Sequence, residues 1–325
     1  MNIEMIEAAA KRLAPVVMRT PLLNSPFLDE MAGRRVFVKA ECLQHTGSFK
    51  FRGGWAAVSA LRDDQRAKGI IAFSSGNHAQ GVALAVKRQG AKAVIIMPKD
   101  APTLKIDNTR ALGAEVVLYD RATEDRDKIG DEMSAARGLT LIKPFNEPQV
   151  IAGQGTVGLE IAEQAAAVGV TEAEVIVCCG GGGLTSGIAL ALADKAPHLK
   201  VRPCEPEDAD DVARSLSLGE LVGNEHVSKS ICDAIVTLRA GDITFKIMKN
   251  LCGSGLAVSD TEVLLAMAHA FQRLKIVLEP GGAVALAAAL FHADEIHGDD
   301  VIVVATGGNV EAAMFARCLE MLENT

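Results

Sequence analysis

The sequence is poor in aromatic residues: Phe, Trp and Tyr make up 4% of the 325 residues, with a single Trp and a single Tyr. Since 49% of the chain is hydrophobic and it holds 30 glycines, its core must be aliphatic, with close backbone approaches. It lacks a basic excess, because 33 Lys plus Arg face 41 Asp plus Glu, a formal charge of −8. That excludes nucleic acid as the main partner, whose usual footprint is a basic stripe. It also lacks a run fit to cross a membrane. The longest uncharged stretch, 175–193, contains five glycines and divides into a strand-like and a helix-like half. The start, 1–13, mixes Glu and Lys with apolar residues and has neither the basic opening nor the apolar centre of a signal peptide. No CxxC pair and no HExxH occurs, so zinc chemistry has no support. Seven cysteines is an odd number, and Cys178 and Cys179 are neighbours in an apolar run. Both are expected to be reduced core thiols in a cytoplasmic protein.

What is present is alternation. At about 150 residues per domain, the length predicts two domains or one large α/β unit. Short Val- and Ile-rich runs at 35–39, 69–73, 93–97, 115–118, 175–179, 200–204 and 301–305 read as strands. Amphipathic stretches at 51–62, 77–89 and 103–113 read as helices, with Pro102 in a first turn and Gly113 as a stop. Continuous apolar strands alternating with helices predict parallel sheets covered on both faces. No repeat or long linker is evident, so a second domain is expected as an insertion.

Four strand-to-loop junctions carry chemistry. In Thr46-Gly47-Ser48-Phe49-Lys50-Phe51-Arg52-Gly53-Gly54 a lysine opens a helical pattern, where the dipole disfavours a cation. Such an amine is either lowered in pKa and used covalently, or reaches out to solvent. Ser74-Ser75-Gly76-Asn77-His78-Ala79-Gln80-Gly81 crowds donors at a strand-to-helix junction, the usual ligand position in open α/β sheets. A helix cap would explain only one or two of them. Gly180-Gly181-Gly182-Gly183-Leu184-Thr185-Ser186-Gly187 offers free N–H groups to a phosphate. No P-loop lysine follows, but a dinucleotide reading stays open: Gly181 and Gly183 follow a strand and Glu205 ends the next, although Ser186 replaces the third glycine. Val303-Val304-Ala305-Thr306-Gly307-Gly308-Asn309 runs a strand into polar residues. Between Glu205 and Asp211 lie five carboxylates in seven residues, a density that suits Mg²⁺, Mn²⁺ or Ca²⁺ or a solvated acidic loop.

Taken in order, SFKFRG, SSGNHAQG, GGGGL and TGGN resemble the fold-type II pyridoxal-phosphate enzymes. The likeness is to the threonine/serine dehydratase and serine racemase group, including threo-3-hydroxyaspartate dehydratases, and it runs from Arg19-Thr20-Pro21-Leu22 to 307–309. The resemblance implies two open, twisted parallel-sheet α/β domains of the tryptophan synthase β-like kind. A small domain, 61–145, would be inserted in a large one, 1–60 and 146–325. It implies pyridoxal 5'-phosphate carried on Lys50, packed by Phe49, with Asn77 on the ring hydroxyl. Gly180, Gly181, Gly182, Gly183 and Leu184 would hold the phosphate, and Thr306 would face the ring nitrogen. Ser74, Ser75, Asn77 and His78 would meet the substrate, and Glu205, Asp211 and the Ala209 carbonyl would match a metal site of racemase-like members. The family's Ile-Ala-Asp-Gly reads Ile231-Cys232-Asp233-Ala234 here, placing a Cβ where glycine lines the cofactor.

The implied activity is dehydration and deamination of a β-hydroxy amino acid to a 2-keto acid. A racemase with side elimination is the alternative, since Ser75 can donate a proton opposite Lys50, and a non-catalytic cofactor-binding protein is a third. The segment 119–126 resembles that of threo-3-hydroxyaspartate dehydratases, which makes Arg126 a clamp for a second carboxylate or else part of a charged helix face. A homodimer is expected. Related enzymes with a C-terminal regulatory domain are longer, so feedback by isoleucine through such a domain is not expected.

Overall fold

In the computed structural model, residues 1–74, 76–101 and 103–323 are described. Among these described residues ten strands form two sheets: β1 (Leu22–Asn24), β2 (Arg35–Ala40), β3 (Ile70–Phe73), β4 (Ala93–Pro98), β5 (Glu115–Tyr119), β6 (Thr140–Leu141), β7 (Ala173–Cys178), β8 (Leu199–Pro206), β9 (Leu256–Val258) and β10 (Asp300–Ala305). The larger sheet has the order β1-β2-β10-β7-β8-β9 and the smaller β5-β4-β3-β6. All pairings are parallel except β1 against β2. The parallel expectation therefore holds for the body of both sheets, and fails only at a three-residue edge strand.

The apolar runs are continuous because the central strands are covered on both faces. Val301 and Val303 face one aliphatic cluster with Leu286 and Val284, while Ile302 and Val304 face another with Ile188 and Leu192. On the smaller sheet, Ile70 and Ile95 pack with Val82 and Val86, whereas Ile71 and Ile96 pack with Tyr119 and Leu139. The seven cysteines are all free; Cys252 is half-buried and the rest are buried. Among the described residues, no helix is long and apolar enough to cross a membrane.

The smaller sheet is built entirely from residues between β2 and β7 of the larger one. Four junctions follow the C-terminal ends of β2, β3, β7 and β10, the side on which open α/β sheets place ligands. Gly113, the expected helix stop, has φ 89 and follows the helix Thr103–Ala111; Pro102 lies outside the described residues.

Candidate active site

Two short turns after β2, Glu41–Leu43 and His45–Gly47, lead to Ser48, which bridges Gly307, and to Phe49, whose N–H donates to the Thr306 carbonyl at 3.2 Å. These contacts set the helix Lys50–Ser59 against the end of β10. The Lys50 amine is partly buried. Burial brings its pKa down to about 8, partly offset by Glu279. Its Nζ donates to the Pro144 carbonyl at 3.2 Å and stands 5.1 Å from the Phe49 ring centre. Arg52, one half-turn on, anchors the helix from behind. Its guanidinium donates to Glu41 Oε2 at 2.8 Å and Glu160 Oε1 at 2.7 Å, and Lys39 shares Glu160 at 2.6 Å. Breaking one member of such a network leaves an uncompensated buried charge, so the Lys50 turn is held firmly.

The helix Asn77–Arg88 follows β3, and the Gly76 N–H donates to Ser74 Oγ at 3.1 Å. Asn77 Nδ2 donates to Glu279, and Asn77 Oδ1 accepts from Asn309 Nδ2 at 2.8 Å. Burial and the nearby Lys50 bring His78 down to about 3, so its ring is neutral. Nε2 lies 3.2 Å from the Ile142 carbonyl and must carry the proton, which makes the buried, unpartnered Nδ1 an acceptor. Gly81 has a packing role: a Cβ there would lie 2.8 Å from the Lys50 carbonyl carbon, so the Lys50 and Asn77 helices meet backbone to backbone. Ser75 lies outside the described residues.

After β7, Gly182 takes φ 82 and the helix Gly183–Lys195 begins. Added Cβ atoms would overlap the Ile235 carbonyl oxygen at Gly180 and the Phe145 ring at Gly181, and would lie 2.7 Å from Gln154 Oε1 at Gly183. The Thr244 hydroxyl donates to the Gly181 carbonyl at 2.7 Å. The first N–H groups of the following helix, including that of buried Leu184, have no partner inside it. The dinucleotide alternative fails on two side chains. Ser186 closes its own helical turn by donating to the Gly182 carbonyl at 2.5 Å, and Glu205 turns back to accept from the Val212 and Ala213 N–H groups.

Thr306 is buried at the end of β10, with its side chain against Cys178. Glu279, not anticipated from the sequence, completes the centre. Its N–H donates to the Gly307 carbonyl at 3.0 Å, and burial pushes its carboxyl up to about 7. Its Oε2 is buried without a partner, as are the Ser48 hydroxyl and both amide atoms of Gln154. A lowered amine, a cradle with no room for Cβ atoms, and unpartnered buried polar groups fit a phosphorylated aldehyde cofactor.

The family model described as pyridoxal-phosphate dependent enzyme matches residues 13–307. The chain belongs to that family. An L-threo-3-hydroxyaspartate ammonia-lyase of Saccharomyces cerevisiae is 40% identical over 316 residues, 97% of this chain and 95% of the relative. A serine racemase of Schizosaccharomyces pombe is also 40% identical, over 97% and 96% of the two chains. The crystal structure of a threonine deaminase from T.th. is similar with a TM-score of 0.90 at 42% identity, covering 96% of this chain and 99% of that one. The protein is thus a pyridoxal-phosphate enzyme of fold type II, and pyridoxal phosphate is its cofactor.

Two further groups stand at the margin of this pyridoxal-phosphate site. Arg126 opens the helix Arg126–Arg137, its guanidinium carbon 5.0 Å from the Phe73 ring centre. It lines a pocket with Ser74, Ile96, Pro98, Tyr119 and Arg121. The acidic run does not act as one cluster. Asp208 accepts from the Lys229 N–H and Ser228, and Asp210 pairs with Arg214, which leaves Glu205 and Asp211 buried side by side. Burial and Asp211 push Glu205 well up, and burial pushes Asp211 up to about 6 against bonds from Asn224 and Ala240. Ala209 is buried beside them. Among the described residues, no three His, Cys, Asp or Glu side chains are arranged to hold a metal ion, so a metal here would depend on two carboxylates and a carbonyl. Ala234 is exposed, and it faces Gly281.

Glu279, Phe145 and Gln154 escaped the sequence reading. A Glu-Pro-Gly-Gly at a helix start is the only local signal for Glu279. Phe145 and Gln154 give none.

Proposed function

We propose that the enzyme is an ammonia-lyase that removes water and ammonia from a β-hydroxy amino acid of the L-threonine, L-serine or threo-3-hydroxyaspartate type, leaving a 2-keto acid. The observation that carries this reading is the Lys50 amine, set beside the Phe49 ring at the end of β10 and lowered by burial to about 8. An amine near neutrality serves both as the cofactor's attachment point and, once freed, as the base that takes the Cα proton at Nζ. Pyridoxal phosphate, when bound, supplies the electron sink that makes that proton removable.

The remaining residues bind and orient. Gly180, Gly181, Gly182, Gly183 and Leu184 would hold the phosphate by backbone N–H groups, and Phe49 would pack on the ring. Asn77, fixed by Glu279 and Asn309, would donate to the ring hydroxyl. Thr306 would face the ring nitrogen, where its neutral hydroxyl would stabilise positive charge less than a carboxylate does. Ser74, Ser75, Asn77 and His78 receive the substrate's α-carboxylate at a helix start, where unpaired N–H groups favour an anion. Arg126, which lines the pocket beside Ser74, would grip a second carboxylate. A divalent cation held by Glu205, Asp211 and the Ala209 carbonyl, a homodimer and a cytoplasmic setting complete the reading. Exposed Phe27, with Arg273 over its ring, and exposed Phe271 support a face buried by a second copy. Seven free thiols suit a reducing compartment.

The test is release of ammonia with 2-oxobutyrate, pyruvate or oxaloacetate from L-threonine, L-serine and L-threo-3-hydroxyaspartate. Borohydride reduction and peptide mapping are expected to find the cofactor on Lys50. No release from any of the three, or an adduct on another lysine, overturns the reading. Likeness to a serine racemase favours one second activity, which would be read as D-serine formed from L-serine on a chiral column.

A further inference from the structure

The margin pocket contains a cation that the lyase reading leaves unused. Its floor is the C-terminal end of the smaller sheet: Ser74 follows β3, Ile96 and Pro98 end β4, and Tyr119 ends β5. Two guanidinium groups, Arg121 and Arg126, complete the lining. The backbone on either side of Arg121 is tightly tied. Asp120 accepts from the Ala122 N–H at its side chain and from the Thr123 and Glu124 N–H groups at its carbonyl, while its own N–H donates to Glu124 Oε2 at 2.6 Å. The side chain is not tied in the same way. Arg121 Nε donates to Asp100 Oδ1 at 2.9 Å, and the two side chains are 53% and 69% exposed. An ion pair so open to water is weak and exchanges readily.

We infer that Arg121 is a specificity-determining residue: it exchanges Asp100 for the distal carboxylate of the substrate and, with Arg126, selects dicarboxylic β-hydroxy amino acids of the 3-hydroxyaspartate class. This rests on the ammonia-lyase reading. Ser74 lines this pocket and is also among the residues assigned to the α-carboxylate, so one short molecule with an anion at each end can meet both places. A carboxylate placed between the two guanidinium groups accepts charge-assisted bonds from both. The methyl group of threonine or the hydrogen of serine accepts none. Asp100 then acts as the resting counter-ion, competing with the substrate for Arg121.

The experiment compares holoenzyme variants on L-threo-3-hydroxyaspartate, L-serine and L-threonine. Arg121→Gln is expected to lower the kcat/KM ratio of hydroxyaspartate over serine by about 10- to 100-fold, mainly through KM, with partial recovery in Arg121→Lys. Asp100→Asn, which removes the competitor, is expected to lower KM for hydroxyaspartate. Calorimetry gives a second readout without turnover: succinate, with two carboxylates, binds more tightly than butyrate, and Arg121→Gln removes the difference. Equal losses on all three substrates, an unchanged ratio, or equal binding of succinate and butyrate overturns the proposal. If no β-hydroxy amino acid is turned over while succinate still binds in preference to butyrate, the lyase reading fails and the dicarboxylate pocket stands.

Discussion

Burial shifts Lys50 and Glu279 in opposite directions, one down to about 8 and the other up to about 7, so the two titrate within reach of each other. The Glu279 shift sets how stability depends on pH. Below its ordinary value of 4.5 the carboxyl is protonated whether the chain is folded or not. As pH rises through 4.5, the unfolded chain releases its proton while the folded one keeps it until about 7. Stability therefore falls across that window, and the full penalty stands above it. Glu279→Gln keeps an acceptor for Asn77 but cannot ionise. In urea unfolding of the cofactor-free protein, the variant should gain on the wild type by roughly 3 kcal/mol between about pH 5 and about pH 8. A flat difference would mean that the carboxyl does not titrate in this range. Lys50 was legible in the sequence because its neighbours, Phe49 and the glycines, are adjacent along the chain. Glu279 meets Asn77 across 202 positions, and no local pattern encodes such a meeting.

Among the elements, helix-to-helix contact depends on residues that isolated helices disfavour. Gly153 lies within the helix Pro148–Ala167, where glycine costs about 1 kcal/mol relative to alanine. It is required because a Cβ there would stand 2.5 Å from the Arg52 carbonyl oxygen and from the Ala56 Cβ. Gly153→Ala should destabilise by about 1–3 kcal/mol through overpacking despite its better helix propensity. Gly169 provides the control, with φ 75 and no atom within 4 Å of an added Cβ. Gly169→Ala should cost only backbone strain, about 1 kcal/mol. Equal losses in thermal melts would show that packing is not the cause. β4, β7 and β10 were legible because both faces are buried and their apolar runs are nearly unbroken. β1, β6 and β9 span three, two and three residues, too few to form a pattern, and β1 is the antiparallel exception.

Across the whole molecule, the site depends on a long connection with little regular structure. Between the helices Asp211–Leu218 and Asp242–Leu251, Asn224 bridges Asp211 and the Thr237 carbonyl, and Asp211 also accepts from the Ala240 N–H. The same connection lays the Ile235 carbonyl against Gly180. A divalent cation at Glu205 and Asp211 would thus brace the wall of the cofactor cradle. At a hundred times its Kd it should stabilise the native state by about 2.7 kcal/mol. Tm measured after chelation and again with Mg²⁺, Mn²⁺ or Ca²⁺ checks this; no rise with any of them would leave the two carboxylates to their N–H partners alone.

The enclosed cysteines have a practical consequence. Burial pushes Cys42 and Cys252 up to about 12 and Cys178 up to about 11, and thiols react with alkylating reagents as thiolates. The folded molecule is therefore close to inert toward iodoacetamide, whereas each opening of the fold presents fresh sulfur. Labelling in native buffer works as a clock for spontaneous opening, and the order in which peptides gain label ranks the regions that open first.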